Sequence, residues 1–137
     1  MKVLVDTCVW SLSLRRKKVV EAPCVRELRK LIKEYRVQMI GPIRQEILSG
    51  IRDQAQFNRL REHLRAFPDL PLLAADYERA AEFFNTCRRQ GVQGSNTDFL
   101  ICAIAVRGQM PIFTVDDDFN LFEAHLPIEL YASRSAV

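Results

Sequence analysis

Histidine, cysteine and glycine are scarce in this chain of 137 residues, and each scarcity closes off a chemistry. The two histidines, His63 and His125, fall in helix or loop stretches away from the strand ends described below. Neither is placed to serve as the base of a Ser- or Cys-nucleophile hydrolase. The four cysteines, Cys8, Cys24, Cys87 and Cys102, are too few and scattered for a disulfide framework, and no CxxC pair offers a zinc site. They read as reduced, mostly buried thiols. Five glycines form no GxxxxGK[ST] phosphate loop. No apolar run reaches the roughly 18 residues needed to span a bilayer. The opening Met1-Lys2-Val3-Leu4-Val5-Asp6 meets a carboxylate too early for a secretory leader. The expectation is a cytoplasmic protein with no membrane partner.

A hydrophobic content of 48% with 27% charged residues suits a globular chain, and the length suits one domain over residues 1–137. Twenty Lys and Arg against 17 Asp and Glu give a net charge of +3. Basic residues gather at Arg15, Arg16, Lys17 and Lys18, along the stretch from Arg26 to Arg36, and at Arg88 and Arg89. Such clusters attract a polyanion such as nucleic acid, and they equally describe solvated helix faces.

The apolar run Lys2-Val3-Leu4-Val5 reads as a buried strand ending at Asp6. Asp6-Thr7 is placed to cap a helix over Val9 to Leu14. Helical spacing marks 21–36, with Val25, Leu28, Leu31, Ile32 and Tyr35 on one face. A second strand, 37–40, stops at Gly41-Pro42, where the proline opens a helix carrying Glu46 and ending near Gly50. Further helices are expected over 53–66 and 74–90. Another, expected to start near Asp98 behind Ser95-Asn96-Thr97, ends at Gly108. A third strand, 111–115, runs into Asp116, and 128–131 adds a last one. Strands alternating with helices predict an α/β fold: three layers, α/β/α, around a small parallel sheet.

That topology gives four acids a common address. Asp6 and Asp116 stand at strand carboxyl ends, and Glu46 and Asp98 lie in helices that begin beyond such ends. Ligands of open parallel sheets bind in the crevice at that edge. Singly, Asp6 and Asp98 could be caps, Asp116 to Asp118 a turn, and Glu46 an exposed helix residue. Together they form a cluster of like charges that repel and raise one another's pKa. Helix N-termini offset only about 0.3–1 kcal/mol per carboxylate. A hard divalent ion would do so, and oxygen donors without His or Cys select Mg²⁺, with Mn²⁺ as the alternative. An acid pocket on a mildly basic protein points to metal-assisted phosphodiester hydrolysis.

Four segments carry a resemblance: Val5-Asp6-Thr7-Cys8-Val9-Trp10, Pro42 to Gly50 around Glu46, Thr97-Asp98-Phe99 with the apolar run behind it, and Thr114-Val115-Asp116-Asp117-Asp118-Phe119. In order and spacing the chain resembles the PIN-domain family, and within it the VapC-type toxins of toxin–antitoxin pairs. The resemblance implies a single PIN domain and a metal-dependent endoribonuclease that cuts RNA, inhibits translation and is neutralised by a cognate antitoxin. It implies Asp6, Glu46, Asp98 and Asp116 as the catalytic, metal-holding quartet, with Thr114 and Asp118 supporting them. It further implies a homodimer, and an antitoxin segment lying over the crevice with an Arg directed at the acids. Arg15, Arg16, Lys17, Lys18, Arg88 and Arg89 are the candidates for RNA phosphate contacts. Two positions depart from the family pattern. Cys8 stands where Ser or Asn is frequent, and Asp117 where Lys or Arg is common.

The rival reading is a catalytically silent PIN-fold module that binds RNA or protein, whose mark would be a missing acid; none is missing. A phosphoacceptor receiver domain would need paired acids after the first strand and a late Lys. Here Thr7 follows Asp6, and no Lys follows Lys33.

Overall fold

A computed structural model describes residues 1–14 and 22–135. Its centre is a parallel sheet of β1 (Val3–Val5), β2 (Val37–Gln38) and β3 (Ile112–Phe113) in the order β2-β1-β3. Val3 pairs with Val37, Leu4 with both Gln38 and Ile112, and Val5 with Phe113. Val3, Leu4 and Val5 have no exposed surface, because helices cover the strand on both faces. Those helices are α1 (Thr7–Ser13), α2 (Pro23–Lys33), α3 (Gly41–Leu48), α4 (Gln54–Leu64), α5 (Ala74–Arg89), α6 (Asn96–Gly108) and α7 (Asp118–Glu123). The result is the expected three-layer α/β/α arrangement.

Several boundaries differ from expectation for identifiable reasons. Helix α2 ends at Lys33, earlier than the periodicity to 36 suggests, because Tyr35 adopts a left-handed φ of 56°. Arg36 N–H then reaches back to the Leu31 carbonyl at 3.0 Å, and the Arg36 carbonyl enters the sheet by accepting Val3 N–H. Gly108 stays helical at the other end of the molecule. Gln109, at φ 53°, supplies the left-handed cap expected there of glycine. The expected last strand reduces to one bridge between Ile112 and Leu130. Ile112 N–H donates to Glu129 and Tyr131 N–H to Ile112, after which the chain turns toward α2. β2 is likewise short. Met39 pairs instead with Asp69, so the loop after α4 takes over the edge. Asp116 and Asp117 lead directly into helix α7, whose first turn carries Asp118.

α6 is the central helix: Phe99, Ile101, Cys102, Ala103, Ile104 and Ala105 are all buried, as its apolar surround predicts. It packs on α5 and is tied to it by Asp76, which is 2% exposed and accepts Arg107 Nε at 2.7 Å. Because Asp76 opens α5 and Arg107 lies in the last turn of α6, the two helices run antiparallel. None of the described helices is long and apolar enough to cross a membrane.

The C-terminal segment is fastened by a buried carboxylate. Glu27 of α2 has no exposed surface and accepts Tyr131 Oη, Arg134 Nε at 2.7 Å and Ser135 Oγ at 2.9 Å. Burial pushes its pKa up, but these donors outweigh it and hold it at about 2, below the ordinary 4.5. The sign follows: stability from the charged form is complete above about pH 5 and is lost as pH falls toward 2. Glu27→Gln is expected to cost about 3 kcal/mol in urea unfolding at pH 7. That difference should shrink steadily when the titration is repeated toward pH 3. A cost independent of pH would contradict the assignment.

Candidate functional site

The carboxyl edge of the sheet opens into a crevice of about 620 Å³, and Asp6, Glu46, Asp98 and Asp116 all line it. Each arrives there by its place in an element. Asp6 follows β1 directly, donates its N–H to the Phe113 carbonyl as the last rung toward β3, and is the N-cap of α1. Its Oδ1 accepts Thr7 N–H at 2.8 Å, and its Oδ2 accepts the Thr114 hydroxyl at 2.9 Å. Asp116 is the third residue after β3, and its N–H donates to the Thr114 oxygen at 3.0 Å. Thr114 therefore holds two of the acids at once. Asp116 Oδ1 accepts Asp118 N–H at 3.0 Å, which starts α7. The Asp118 side chain is exposed at that helix start, and Asp117 makes no side-chain cap there.

Asp98 sits in a reciprocal cap. Ser95 Oγ accepts Asp98 N–H, and Asp98 Oδ2 accepts Ser95 N–H, both at 3.1 Å. Ser95 alone caps α6, which begins at Asn96, two residues before the expected start. The approach depends on Gly94: a Cβ there would stand 2.6 Å from the Phe122 ring and 3.0 Å from Phe99. The capping role of Asp98 and its place in the crevice are thus compatible, since Oδ1 takes no part in the cap.

Glu46 enters from the second turn of α3, exposed, with Oε1 accepting the Thr7 hydroxyl at 2.6 Å. The sequence offered Thr7 only as a capping residue, and its bond to Glu46 crosses 39 positions. α3 itself is pinned by Arg44, which donates to Asp69 Oδ1 at 2.8 Å and to the carbonyls of Leu64 and Phe67. Cys8 keeps polar contacts despite being sulfur. Its Sγ lies 3.4 Å from both Asp6 Oδ2 and Thr114 Oγ1, and it accepts Val115 N–H at 3.4 Å.

Electrostatics reveal the crowding. Burial raises the Asp6 pKa, bonds from Thr114, Thr7 and Cys8 oppose this, and the charge of Asp116 adds to the rise. Burial also raises Asp98; Ser95 opposes the rise, and both Asp6 and Asp116 push it further up. Thiols nearby respond in the same sense. Cys102, one turn below Asp98, is pushed up by burial and by Asp98. Cys8 is raised chiefly by burial. Neither supplies a thiolate nucleophile.

No Lys, Arg or His is among the described residues lining the crevice. An all-oxygen set of repelling carboxylates fits a hard divalent cation. Among the described residues no group of three or more His, Cys, Asp or Glu side chains stands close enough together to hold a metal ion as placed. Arg88 and Arg89 are exposed at the end of α5, outside the crevice lining, while Arg15, Arg16, Lys17 and Lys18 lie outside the described residues. His63 and His125 are exposed and also away from the crevice.

Comparison with known proteins gives a consistent picture. A model of the PIN domain matches residues 3–124. The chain is 33% identical over 123 residues to VapC ribonuclease Mb1587 of Mycobacterium bovis, covering 87% of this chain and 90% of that protein. Ribonuclease VapC11 of Mycobacterium tuberculosis aligns with the same identity and coverage. Among solved structures, FitAcB from Neisseria gonorrhoeae superposes with a TM-score of 0.75 at 22% identity, over 95% of this chain and 96% of the other. VapBC2 from Rickettsia felis, bound to a DNA fragment from its promoter, gives 0.75 at 15% identity, over 96% and 98%. At those identities the structural likeness speaks to the fold.

The raised pKa of Asp98 means the folded chain disfavours its anion, so a neutral isostere should stabilise the metal-free protein. In chelator, Asp98→Asn is expected to melt roughly 3–5 °C above the parent, on the order of 1 kcal/mol. Added Mn²⁺ should raise the parent's melting temperature and move the variant less. A variant less stable than the parent in chelator would contradict the crowding.

Proposed function

Because the chain belongs to the PIN domain family and converges four carboxylates on one crevice, we propose that it is a metal-dependent endoribonuclease toxin. It hydrolyses RNA phosphodiester bonds, inhibits translation and is neutralised by a cognate antitoxin. The observation that carries the reading is the joint placement of Asp6, Glu46, Asp98 and Asp116 in a crevice whose described lining has no basic side chain. The naming of 33%-identical relatives as ribonucleases supports it. Residues 1–137 form one PIN domain in this reading.

Asp6, Asp98, Asp116 and Glu46 would hold the cation, Mg²⁺ with Mn²⁺ as substitute. When bound, the ion supplies the positive charge that stabilises a phosphodiester under attack by water. The protein's own contribution is orientation. Thr114 fixes Asp6 and Asp116 in one hydrogen-bonded unit, and Ser95 fixes Asp98. Thr7 fixes Glu46, aiming a carboxylate into the crevice where it can orient water or accept its proton. Asp118 supports the site through its backbone N–H on Asp116. Arg88 and Arg89 meet RNA phosphates beyond the crevice, where contacts position the strand without reading it.

The partner is an antitoxin whose Arg pairs with the acids, since a guanidinium is the natural bidentate donor to carboxylates. Two copies of the chain assemble as a homodimer in this reading.

Incubating antitoxin-free protein with total cellular RNA in Mg²⁺ or Mn²⁺ is expected to give discrete fragments that disappear with chelator. Asp6→Asn and Asp98→Asn should each lower the cleavage rate on the order of 10²–10³-fold. Thr7→Val, which frees Glu46 without removing it, should cost about tenfold. Cleavage at the parent's rate by both Asp variants would overturn the mechanism.

A further inference from the structure

A second groove, of about 490 Å³, runs between α5 and α6 and shares Thr97 with the acid crevice. Tyr77, Phe84 and Asn85 line it from α5, and Asn96, Thr97 and Leu100 from α6. Positions 77, 84, 85 and 88 recur on one face of α5, while the small Ala80 and Ala81 between them leave the hollow. The antiparallel pairing of the helices brings the first turn of α6, with Asn96 and Thr97, toward the Phe84 end of α5. Tyr77 is 56% exposed, so its ring is open to a ligand in the groove. Beyond Phe84, the Arg88 guanidinium stands 5.2 Å from that ring's centroid, and Arg89 follows.

This lining differs from that of a helix-docking groove, which would be uniformly apolar. Beside the aliphatic Ala80, Ala81 and Leu100 it carries two aromatic rings and three side chains that both donate and accept hydrogen bonds, Asn85, Asn96 and Thr97, and cations stand at one end. A nucleobase has a flat face for stacking and an edge of donors and acceptors, and it is tethered to phosphates. We infer that the α5–α6 groove receives an unpaired base of the RNA strand whose scissile phosphate lies in the acid crevice. Tyr77 and Phe84 stack on the base, Asn85 and Asn96 read its edge, and Arg88 and Arg89 meet the neighbouring phosphate. Thr97, the wall common to both hollows, makes the base site continuous with the cutting site. The groove thereby selects where a strand is cut, and it rejects duplex, whose bases are already stacked and paired. This inference rests on the nuclease reading above and adds the recognition element that reading lacks.

The test uses the full chain in chelator with a labelled, mixed-sequence single-stranded oligoribonucleotide, read by fluorescence anisotropy at fixed salt, with particle mass measured in parallel. Tyr77→Ala should weaken binding by roughly five- to a hundredfold, and Tyr77→Phe, which keeps the ring, should bind within about twofold of the parent. Duplex RNA of the same length should bind equally to parent and Tyr77→Ala. With metal restored, Asn85→Ala should redistribute cleavage among phosphodiesters. Groove variants that bind and cut as the parent does, while the parent shows Asp98-dependent cleavage, would overturn this inference alone. A Tyr77→Ala protein of halved mass and unchanged RNA affinity would assign the groove to a second copy of the chain and overturn it too. A parent that neither binds nor cuts RNA would remove the nuclease reading and the groove's role with it.

Discussion

Burying Asp6 is the constraint on which the rest of this structure turns. Only 6% exposed, it is a carboxylate placed where an unpartnered charge would cost several kcal/mol. Three donors answer it: a backbone N–H from α1, a hydroxyl just past the end of β3 and a thiol two residues along. Each is a structural commitment as well as a hydrogen bond. The same residue is the last rung of the sheet toward β3 and the cap of α1, so its position cannot drift without loosening both. Even so, the donors do not fully compensate, and its pKa stays above the ordinary range. That uncompensated remainder is a standing attraction for a cation.

The other acids share this double use. Asp98 is half of a reciprocal cap, and Asp116 accepts the N–H that opens α7. Structural and chemical readings of these residues are therefore complementary: capping fixes one oxygen of the carboxylate and so aims the remainder. Thr114 and Thr7 extend the economy, since each links a strand end or helix start to a carboxylate from elsewhere in the chain. The crevice is built from the same hydrogen bonds that start α1, α6 and α7.

How much of this was legible beforehand depended on the range of the interaction. The buried β1, the apolar α6 and the four acids announce themselves through local pattern: a Val-rich run ending in Asp, an all-apolar helix behind Ser-Asn-Thr, acids where strands stop. Family resemblance then assembled them. The left-handed turns at Tyr35 and Gln109 were invisible because neither residue type signals positive φ; each is closed by a backbone bond at its helix end, Arg36 N–H to Leu31 and Met110 N–H to Ala105. The expected strand over 128–131 shrank because the segment's polar groups go to Glu27 after a single bridge to Ile112. The Thr7–Glu46 bond and the Arg44 clamp on the α4 loop join positions tens of residues apart, which no periodicity can reveal. The α5–α6 groove is similar: only the packed helices show that Tyr77 and Phe84 line a hollow that shares Thr97 with the acid crevice.

The central claim is that the carboxylates at the sheet edge form a binding site for one hard cation or a pair of them. Anomalous diffraction from crystals soaked in Mn²⁺ tests it directly. A peak is expected between Asp6, Asp98 and Asp116, with carboxylate oxygens at roughly 2.0–2.3 Å, while Glu46 keeps its bond to Thr7. Well-ordered crystals in saturating Mn²⁺ that show no peak in this crevice, or a peak only at surface acids elsewhere, would contradict it.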